Sequence, residues 1–321
     1  MAWFGRGDRS TDPAAPPGRP AGGAALPSAE VGNAELRRIL SVLPPPGAEQ
    51  VWARARPAVQ FPIRPLAAGE PAPLGASRLG GYPDLPAGQS WPTWEGTDGS
   101  WGLRALMFWA QIDLATLPVH PLAALPRQGS LLFFADYSAD LPGALTRHDI
   151  FGSGFGELAG ARVLYAPADS ALQRTAPPIP VRVLPEALLA PVGTLTFPAL
   201  DELELDEDIY YDAFDQFRGD LDVAVRRAAP DGTRYSGHHQ FGGLAESIQH
   251  PAEQDARESA AIDRGHAEAT EHTDEWVLLL QVQSEYLLGL MFGDVGTCYW
   301  VAPAADLAAG RYDTTRFVFQ N

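Results

Sequence analysis

Short apolar runs bounded by proline or glycine recur along the chain and are separated by polar or acidic stretches. The runs LMFWAQIDL, GSLLFF, WVLLLQVQS and GTCYWV have lengths and compositions that are typical of buried strands. By contrast, NAELRRILSVLPPP has its apolar residues at helical spacing, with Asn33 as the predicted N-cap and Pro44 as the stop. The pattern predicts an α+β fold in which strands build the core and a few helices lie at the surface.

Other segments depart from this pattern. Residues 1–30 are rich in proline, glycine and alanine and have no hydrophobic period, so they are predicted to form a disordered tail. VWARARPAVQFPIRPL alternates weakly and contains several prolines, which indicates an edge strand. The later part of the acidic segment 201–222 favours a helix. The polar segment 251–275 favours a surface helix or another ordered excursion.

The strand-like runs occur twice in the same order. RLGGYPDLP resembles QFGGLAESI, so that Gly80-Gly81 match Gly242-Gly243 and Asp84 matches Glu246. After each glycine pair come an apolar strand that ends in glutamine, an aliphatic residue and a second polar residue, then a glycine, then another apolar strand. Three similarities in one order predict an internal duplication.

The duplication predicts two related β-rich halves packed into one globular unit, at about 31–200 and about 201–321. The repeated glycines permit a positive φ, or allow another strand to pass where a side chain would clash. In the alternative interpretation their amides bind an anion. Apart from Arg78, however, no basic residue stands next to them.

Composition excludes several classes of enzyme. All 23 basic residues are arginine, whereas P-loop proteins, pyridoxal-phosphate enzymes and protein kinases depend on a lysine. A single cysteine, Cys298, excludes an internal disulfide and a cysteine-rich zinc site. No apolar run approaches the roughly 20 residues of a membrane span, and the first residues lack a signal-peptide pattern. We therefore expect a cytoplasmic protein that does not enter a membrane.

The net charge of −17 is concentrated in two segments. Residues 201–222 carry ten acidic side chains and one arginine, and residues 246–275 carry nine acidic side chains and two arginines. Nucleic acid is a poor partner for such a surface, whereas a basic protein would be attracted to it. The candidate partner-binding residues are Glu202, Glu204, Asp206 and Asp208.

Polar pairs inside two of the apolar strands are candidates for a ligand site. Gln111 and Asp113 are two residues apart, as are Gln281 and Gln283, so each pair faces one side of its strand. Buried polar side chains need partners. They form either a hydrogen-bond network that holds the two halves together or a small-molecule site between the halves, with Gln111, Gln281 and Gln283 as ligand-binding residues.

Catalytic candidates are few. Asp294 lies between Gly293 and Gly296, where aspartate is an ordinary turn residue, but it is the first carboxylate to test. His239 and Asp113 complete the set. The adjacent His238 and His239 point to opposite faces of a strand and do not form a two-ligand metal site there. No HExxH pattern occurs, so we predict neither a metal nor a cofactor.

In order along the chain, LGGYPDLPAGQSWP, LMFWAQIDL, GSLLFF, HHQFGGLAESIQ, LLLQVQS and FGDVGTCYWVAPAADL resemble the YwqG-like family, a bacterial domain family of unknown function. The resemblance runs from about Arg78 to the end of the chain. It implies a mixed α/β sheet architecture and carries over no catalytic residue. Phe292 stands where that family usually has tryptophan, and Leu244-Ala245-Glu246 replace a more typical aromatic-Pro-Asp.

Two functions follow as hypotheses. The leading one is a non-enzymatic cytoplasmic binding or accessory protein with an acidic recognition surface. The alternative is an enzyme or small-ligand binder that uses a polar groove between the two halves.

Overall fold

The computed structural model describes residues 26–94, 103–136, 160–203, 205–263 and 275–321. Five α-helices lie in this part of the chain: α1 (Asn33–Leu40), α2 (Gly47–Ala53), α3 (Glu207–Ala228), α4 (Ala252–Asp263) and α5 (Ala304–Ala308). No helix of these residues is long and apolar enough to cross a membrane.

Strands make up two large sheets. The seven-stranded sheet has the order β1 (Ala29–Glu30), β13 (Val192–Thr196), β2 (Arg56–Gln60), β14 (Gln240–Phe241), β15 (Trp276–Gln283), β16 (Thr297–Pro303) and β17 (Arg316–Gln320). The six-stranded sheet has the order β10 (Ala161–Ala166), β9 (Ser130–Ala135), β8 (Met107–Asp113), β4 (Arg78–Leu79), β12 (Ala187–Leu189) and β3 (Ile63–Pro65). Two further pairs join β5 (Asp84–Pro86) to β11 (Leu172–Arg174) and β6 (Thr93–Trp94) to β7 (Arg104–Ala105).

Four consecutive strands of each large sheet share an order, β14-β15-β16-β17 in one and β4-β8-β9-β10 in the other, and they also share a register. In one sheet the strand before the glycine pair places Arg78 opposite Gln111, and in the other it places Gln240 opposite Gln281. The strand that follows has a register shift in both sheets, between Phe108 and Ala110 in β8 and between Leu278 and Leu280 in β15. Positions can therefore be matched between the sheets by hydrogen-bond register alone.

The sheets do not follow a division of the chain near residue 200. Strands β2 and β3 are separated by Phe61 and Pro62 yet belong to different sheets, and so do β12 and β13. Because the connections are so short, the chain passes directly from one sheet to the other. The seven-stranded sheet therefore combines strands from both sides of residue 200. The segment predicted as an edge strand forms two strands: β2 lies inside the seven-stranded sheet, whereas β3 is at the edge of the six-stranded sheet.

An apolar layer between the two sheets forms the largest core. Its members come from both sheets and include Trp109, Phe133, Trp300 and Phe317, all of them buried. The rings of Trp109 and Trp300 meet edge to face with centroids 5.2 Å apart. Such contacts add to the hydrophobic gain from burial.

The helices cover the outer face of the seven-stranded sheet. Helices α1 and α3 contribute to a second apolar cluster with β13, and α4 packs on β15, β16 and β17. The helix predicted from NAELRRIL begins at Asn33, with Gly32 rather than Asn33 at the cap position. Residues 1–25 of the predicted tail lie outside the described residues, and Ala29–Glu30 at its end form β1.

The glycine pair of the six-stranded sheet gives a stability prediction. Gly80 has φ +62°, and a Cβ there would lie 2.1 Å from the Pro185 carbonyl oxygen. Gly88 has φ +84° but open space around it. We expect Gly80→Ala to lower the free energy of unfolding by about 3–5 kcal/mol, and Gly88→Ala by about 1 kcal/mol from backbone strain alone. Equal losses in urea denaturation would contradict the clash at Gly80.

Candidate functional site

A polar pocket lies beneath α3, on the outer face of the seven-stranded sheet. Its volume is about 450 Å³, and its walls come from β13, β2, α3 and the segment from Tyr235 to Pro251. Phe214, Phe217 and Val225 hold α3 against the body of the protein and supply apolar surface. A mostly apolar cavity with a few convergent polar groups is the usual form of a ligand site.

His238 is the centre of the polar wall. Its Nδ1 lies 2.5 Å from Glu246 Oε2, and its Nε2 lies 3.4 Å from Asp222 Oδ2 on α3. The guanidinium of Arg218, one turn earlier on α3, pairs with the other oxygen of Glu246. The ring of Tyr235 stacks on the imidazole, with centroids 5.3 Å apart and planes 27° from parallel.

A chain of hydrogen bonds continues from this wall into the interior. The Tyr235 hydroxyl donates to Gln60 Oε1 at 3.4 Å, and Gln60 Nε2 donates to Gln240 Oε1 at 2.7 Å. Gln240 Nε2 in turn donates to the carbonyls of Gly242 and Leu244. Burial, together with the nearby Asp222 carboxylate, raises the pKa of Tyr235 above its ordinary value, so its hydroxyl keeps its proton.

Gln281 fixes the positions of the two ends of this wall. Its Nε2 donates to the His238 carbonyl at 2.9 Å, and its Oε1 accepts from the Glu246 N–H at 2.9 Å. Between these two residues the chain turns through Gly242 and Gly243, with φ +65° and +76°. One fully buried amide thus holds the histidine and the carboxylate close together across the glycine turn.

Gln111 does the same in the six-stranded sheet, but the wall there is closed. Its amide joins the Ala76 carbonyl to the Asp84 N–H, at 3.3 and 3.1 Å. In that half, Asp84 pairs with the guanidinium groups of Arg78 and Arg174, at 2.7 and 2.9 Å. Burial alone would raise the pKa of Asp84, but the two arginines outweigh burial and hold it below its usual value.

The remaining predicted residues lie elsewhere. The Asp113 side chain accepts from the Ala115 N–H at 3.2 Å and so caps the short 3₁₀ turn after β8. Gln283 accepts from the His238 N–H at 3.1 Å, behind the pocket wall. Asp294 is exposed in a turn and precedes Val295, whose φ is +59°. The structure therefore does not bring these three side chains into one pocket with Gln111.

His239 occupies a different environment from its neighbour. The side chain is buried, and its Nε2 lies 3.5 Å from Glu285 Oε2. Burial alone would raise the pKa of Glu285, but contacts with His239, the Ser236 hydroxyl and the Leu287 N–H lower it overall. As expected for adjacent residues of an extended segment, His239 points away from the pocket that His238 lines.

Among the candidate partner-binding residues, Glu202 is the one placed at the pocket. Glu202 and the neighbouring Asp201 line the pocket. The carbonyl of Asp206 accepts the N–H groups of Ile209 and Tyr210 at the start of α3. Glu204 and the side chain of Asp208 lie outside the described residues.

Sequence reasoning missed most of the pocket. It considered His238 only as the neighbour of His239, and it did not single out Tyr235, Asp222, Arg218 or Gln60. Gln60 and Asp222 are far from His238 in sequence, so no local spacing connects them. The available signal was the match of Glu246 to Asp84, which marks the carboxylate of the wall.

No group of three or more histidine, cysteine, aspartate or glutamate side chains in the described ranges could hold a metal ion. Cys298 is buried in the core, and burial raises the pKa of its thiol well above the ordinary value, which leaves it protonated and unreactive. The polar groups of the pocket instead suit hydrogen bonding and ion pairing to a ligand.

Fold and site together define an α+β protein of two packed sheets with a polar pocket on one outer face. Residues 77–320 match the model of the family described as Domain of unknown function (DUF1963), and the chain belongs to that family. No curated protein matches the chain.

The buried Gln281 amide clamps the glycine turn through its hydrogen bonds to the Glu246 N–H and the His238 carbonyl, and this clamp gives the second prediction. Gln281→Met keeps the side-chain length but leaves the Glu246 N–H and the His238 carbonyl without their partner. We expect it to lower the free energy of unfolding by about 2 kcal/mol. Gln216→Met, at an exposed position of α3, should change it by less than about 0.5 kcal/mol. Similar values for both variants in urea denaturation would show that the clamp is dispensable.

Proposed function

We propose that this protein is a binding protein that takes a positively charged small molecule in the pocket beneath α3. The observation that carries the proposal is the charge of the pocket. Its lining includes five carboxylates and one arginine, besides two histidines: Asp201, Glu202, Asp215, Asp222, Glu246, Arg218, His238 and His250.

Ion pairing inside the pocket leaves this excess in place. Arg218 pairs with Glu246, and His238 lies between Glu246 and Asp222. Asp201, Glu202 and Asp215 at the mouth are exposed. A cleft of one sign focuses its field and raises the local concentration of ligands of the opposite sign. A cationic group would therefore be attracted to the mouth and stabilised at the wall.

An enzyme that uses the same pocket is the alternative, and one observation favours it. His238 has a carboxylate near each ring nitrogen, which is a geometry suited to orienting an imidazole for proton transfer. In this alternative His238 is the catalytic residue, with Asp222 and Glu246 as its positioning residues.

Calorimetric titration with a diamine tests the binding function. We expect putrescine to bind and an uncharged analogue of equal length, 1,4-butanediol, to give no heat. Glu246→Gln and Asp222→Asn should each weaken putrescine binding about tenfold, a loss of about 1.4 kcal/mol for one charged contact.

Asp231→Asn is the matched control for these substitutions. It removes the same charge at an exposed position that does not line the pocket. Binding that is equally weak in Asp231→Asn would mean that general charge, not the pocket, attracts the amine. Absence of putrescine binding, and of binding by other cationic amines, would refute the proposed function.

A basic protein partner is a second proposal, supported by the acidic surface around the pocket. Asp212, Asp215 and Asp220 are exposed on α3, and Asp201 and Glu202 lie at the nearby mouth. Clustered exposed acids repel one another and weaken a fold slightly, so their concentration here is consistent with a recognition surface.

Pull-down at two salt concentrations tests this second proposal. Capture should weaken as salt rises, because the Debye length falls from about 10 Å at 0.1 M to about 3 Å at 1 M. Neutral replacement of Glu202, Glu204, Asp206 and Asp208 should weaken capture at 0.1 M. Neutral replacement of four exposed acids outside both acidic segments should not: Glu49, Asp169, Asp231 and Asp313. Indifference to salt and to both sets would exclude the acidic surface as the recognition element.

We also propose that the protein arose by internal duplication, is bacterial and lies in the cytoplasm. The matched strand order and register of the two sheets support an internal duplication. The ordered sequence patterns support a YwqG-like, bacterial protein, and a cytoplasmic location is consistent with the single cysteine.

A further inference from the structure

We infer that the pocket beneath α3 recognises a guanidinium group in particular, because the other sheet already holds one at the matching position. This inference rests on the proposed function and names the ligand class. It starts from the register of the two sheets, which pairs Arg78 with Gln111 and Gln240 with Gln281. Position 78 therefore matches position 240, and positions 79–84 match positions 241–246 in the same order.

In the six-stranded sheet the guanidinium of Arg78 is fully buried. It donates to Asp84 Oδ2 at 2.7 Å and to the Tyr82 carbonyl, and its Nε lies 3.2 Å from Glu186 Oε1. The glycine turn thus supplies a carboxylate and a main-chain carbonyl that converge on one planar cation. A guanidinium, with five N–H groups in a fixed plane, suits such a set of acceptors.

In the seven-stranded sheet the same acceptors are present, but the strand position of Arg78 holds Gln240. Glu246 matches Asp84, and the Leu244 carbonyl matches the Tyr82 carbonyl. Gln240, which replaces Arg78, donates to the Leu244 carbonyl at 2.7 Å, so it repeats one contact of the arginine. Its side chain is shorter, and Gln240, Leu244 and Glu246 all line the open pocket.

Two other features of the pocket favour a guanidinium over an ammonium ion. Glu246 already accepts the guanidinium of Arg218, a side chain that is 46% exposed and can be exchanged for a ligand. Tyr235 and His238, which both line the pocket beside the carboxylates, are planar rings. Planar, weakly hydrated guanidinium groups stack on such rings, whereas the compact ammonium ion is strongly hydrated.

The first arm of the test compares two ligands on the unmodified protein by calorimetric titration. Agmatine and putrescine share a four-carbon chain and one amine, and differ in whether the other end is a guanidinium or an amine. We expect agmatine to bind at least about tenfold more tightly. If the two bind equally, the guanidinium inference fails and the proposed cation binding stands. If neither binds, both fail.

The second arm of the test uses a substitution that places a guanidinium of the protein itself in the pocket. Gln240→Arg should place a guanidinium against Glu246, as Arg78 lies against Asp84, and should weaken agmatine binding at least about tenfold. Gln216→Arg adds the same cation at an exposed position of α3 that does not line the pocket, and it should retain agmatine binding within about threefold. Circular dichroism and the melting temperature establish that each variant is folded.

The outcomes of the second arm are distinct. Full agmatine binding by folded Gln240→Arg would overturn the inference. So would an equal loss in Gln216→Arg, because the effect would then come from the added charge rather than from an occupied site. If Gln240→Arg does not fold, the comparison of agmatine with putrescine decides the inference alone.

Discussion

The buried glutamine that clamps each glycine turn is the interaction on which the rest of this structure depends. A turn through two glycines of positive φ brings its two ends together but leaves main-chain groups facing the core. Gln281 satisfies an N–H and a carbonyl with one amide, and Gln111 does so in the other sheet. Each group left unpaired in the interior would cost about 1–3 kcal/mol. An amide supplies a donor and an acceptor from one planar group, whereas an aliphatic side chain supplies neither and a carboxylate or guanidinium supplies only one of the two.

The glycine turns held by Gln111 and Gln281 have different chemistry because different side chains contact them. In the six-stranded sheet, Arg78, Asp84 and Arg174 form a buried ionic cluster. Removal of ions from water is costly, and mutual attraction repays the cost only when the remaining hydrogen bonds are also made. In the seven-stranded sheet, the corresponding position holds Gln240, and α3 brings Asp222 and Arg218 to a wall that still faces a pocket.

Local sequence patterns predicted the parts of this fold that depend on near neighbours. The apolar strands, the glycine pairs, the helix after Asn33 and the helical later part of the acidic segment all have short-range signals. The placement of β2 inside the seven-stranded sheet has none, because it depends on partners more than 100 residues away in β13 and β14. The pocket was missed for the same reason: Gln60, Asp222 and His238 meet only after the sheet has formed and α3 has packed on it.

Solvent access determines which of the two clamped turns can bind a ligand. The carboxylate of Asp84 and the guanidinium of Arg78 are fully buried, and Asp84 accepts from Arg78, Arg174 and the Gly75 N–H. Around Glu246 the partners are partly exposed, and Arg218 reaches it from the surface of α3. Water and an exposed side chain can be exchanged for a ligand at little cost, whereas a buried guanidinium cannot. The acidic residues at the pocket mouth attract cations. At the wall, the contact between Glu246 and the partly exposed Arg218 can then be exchanged for a contact with such a ligand.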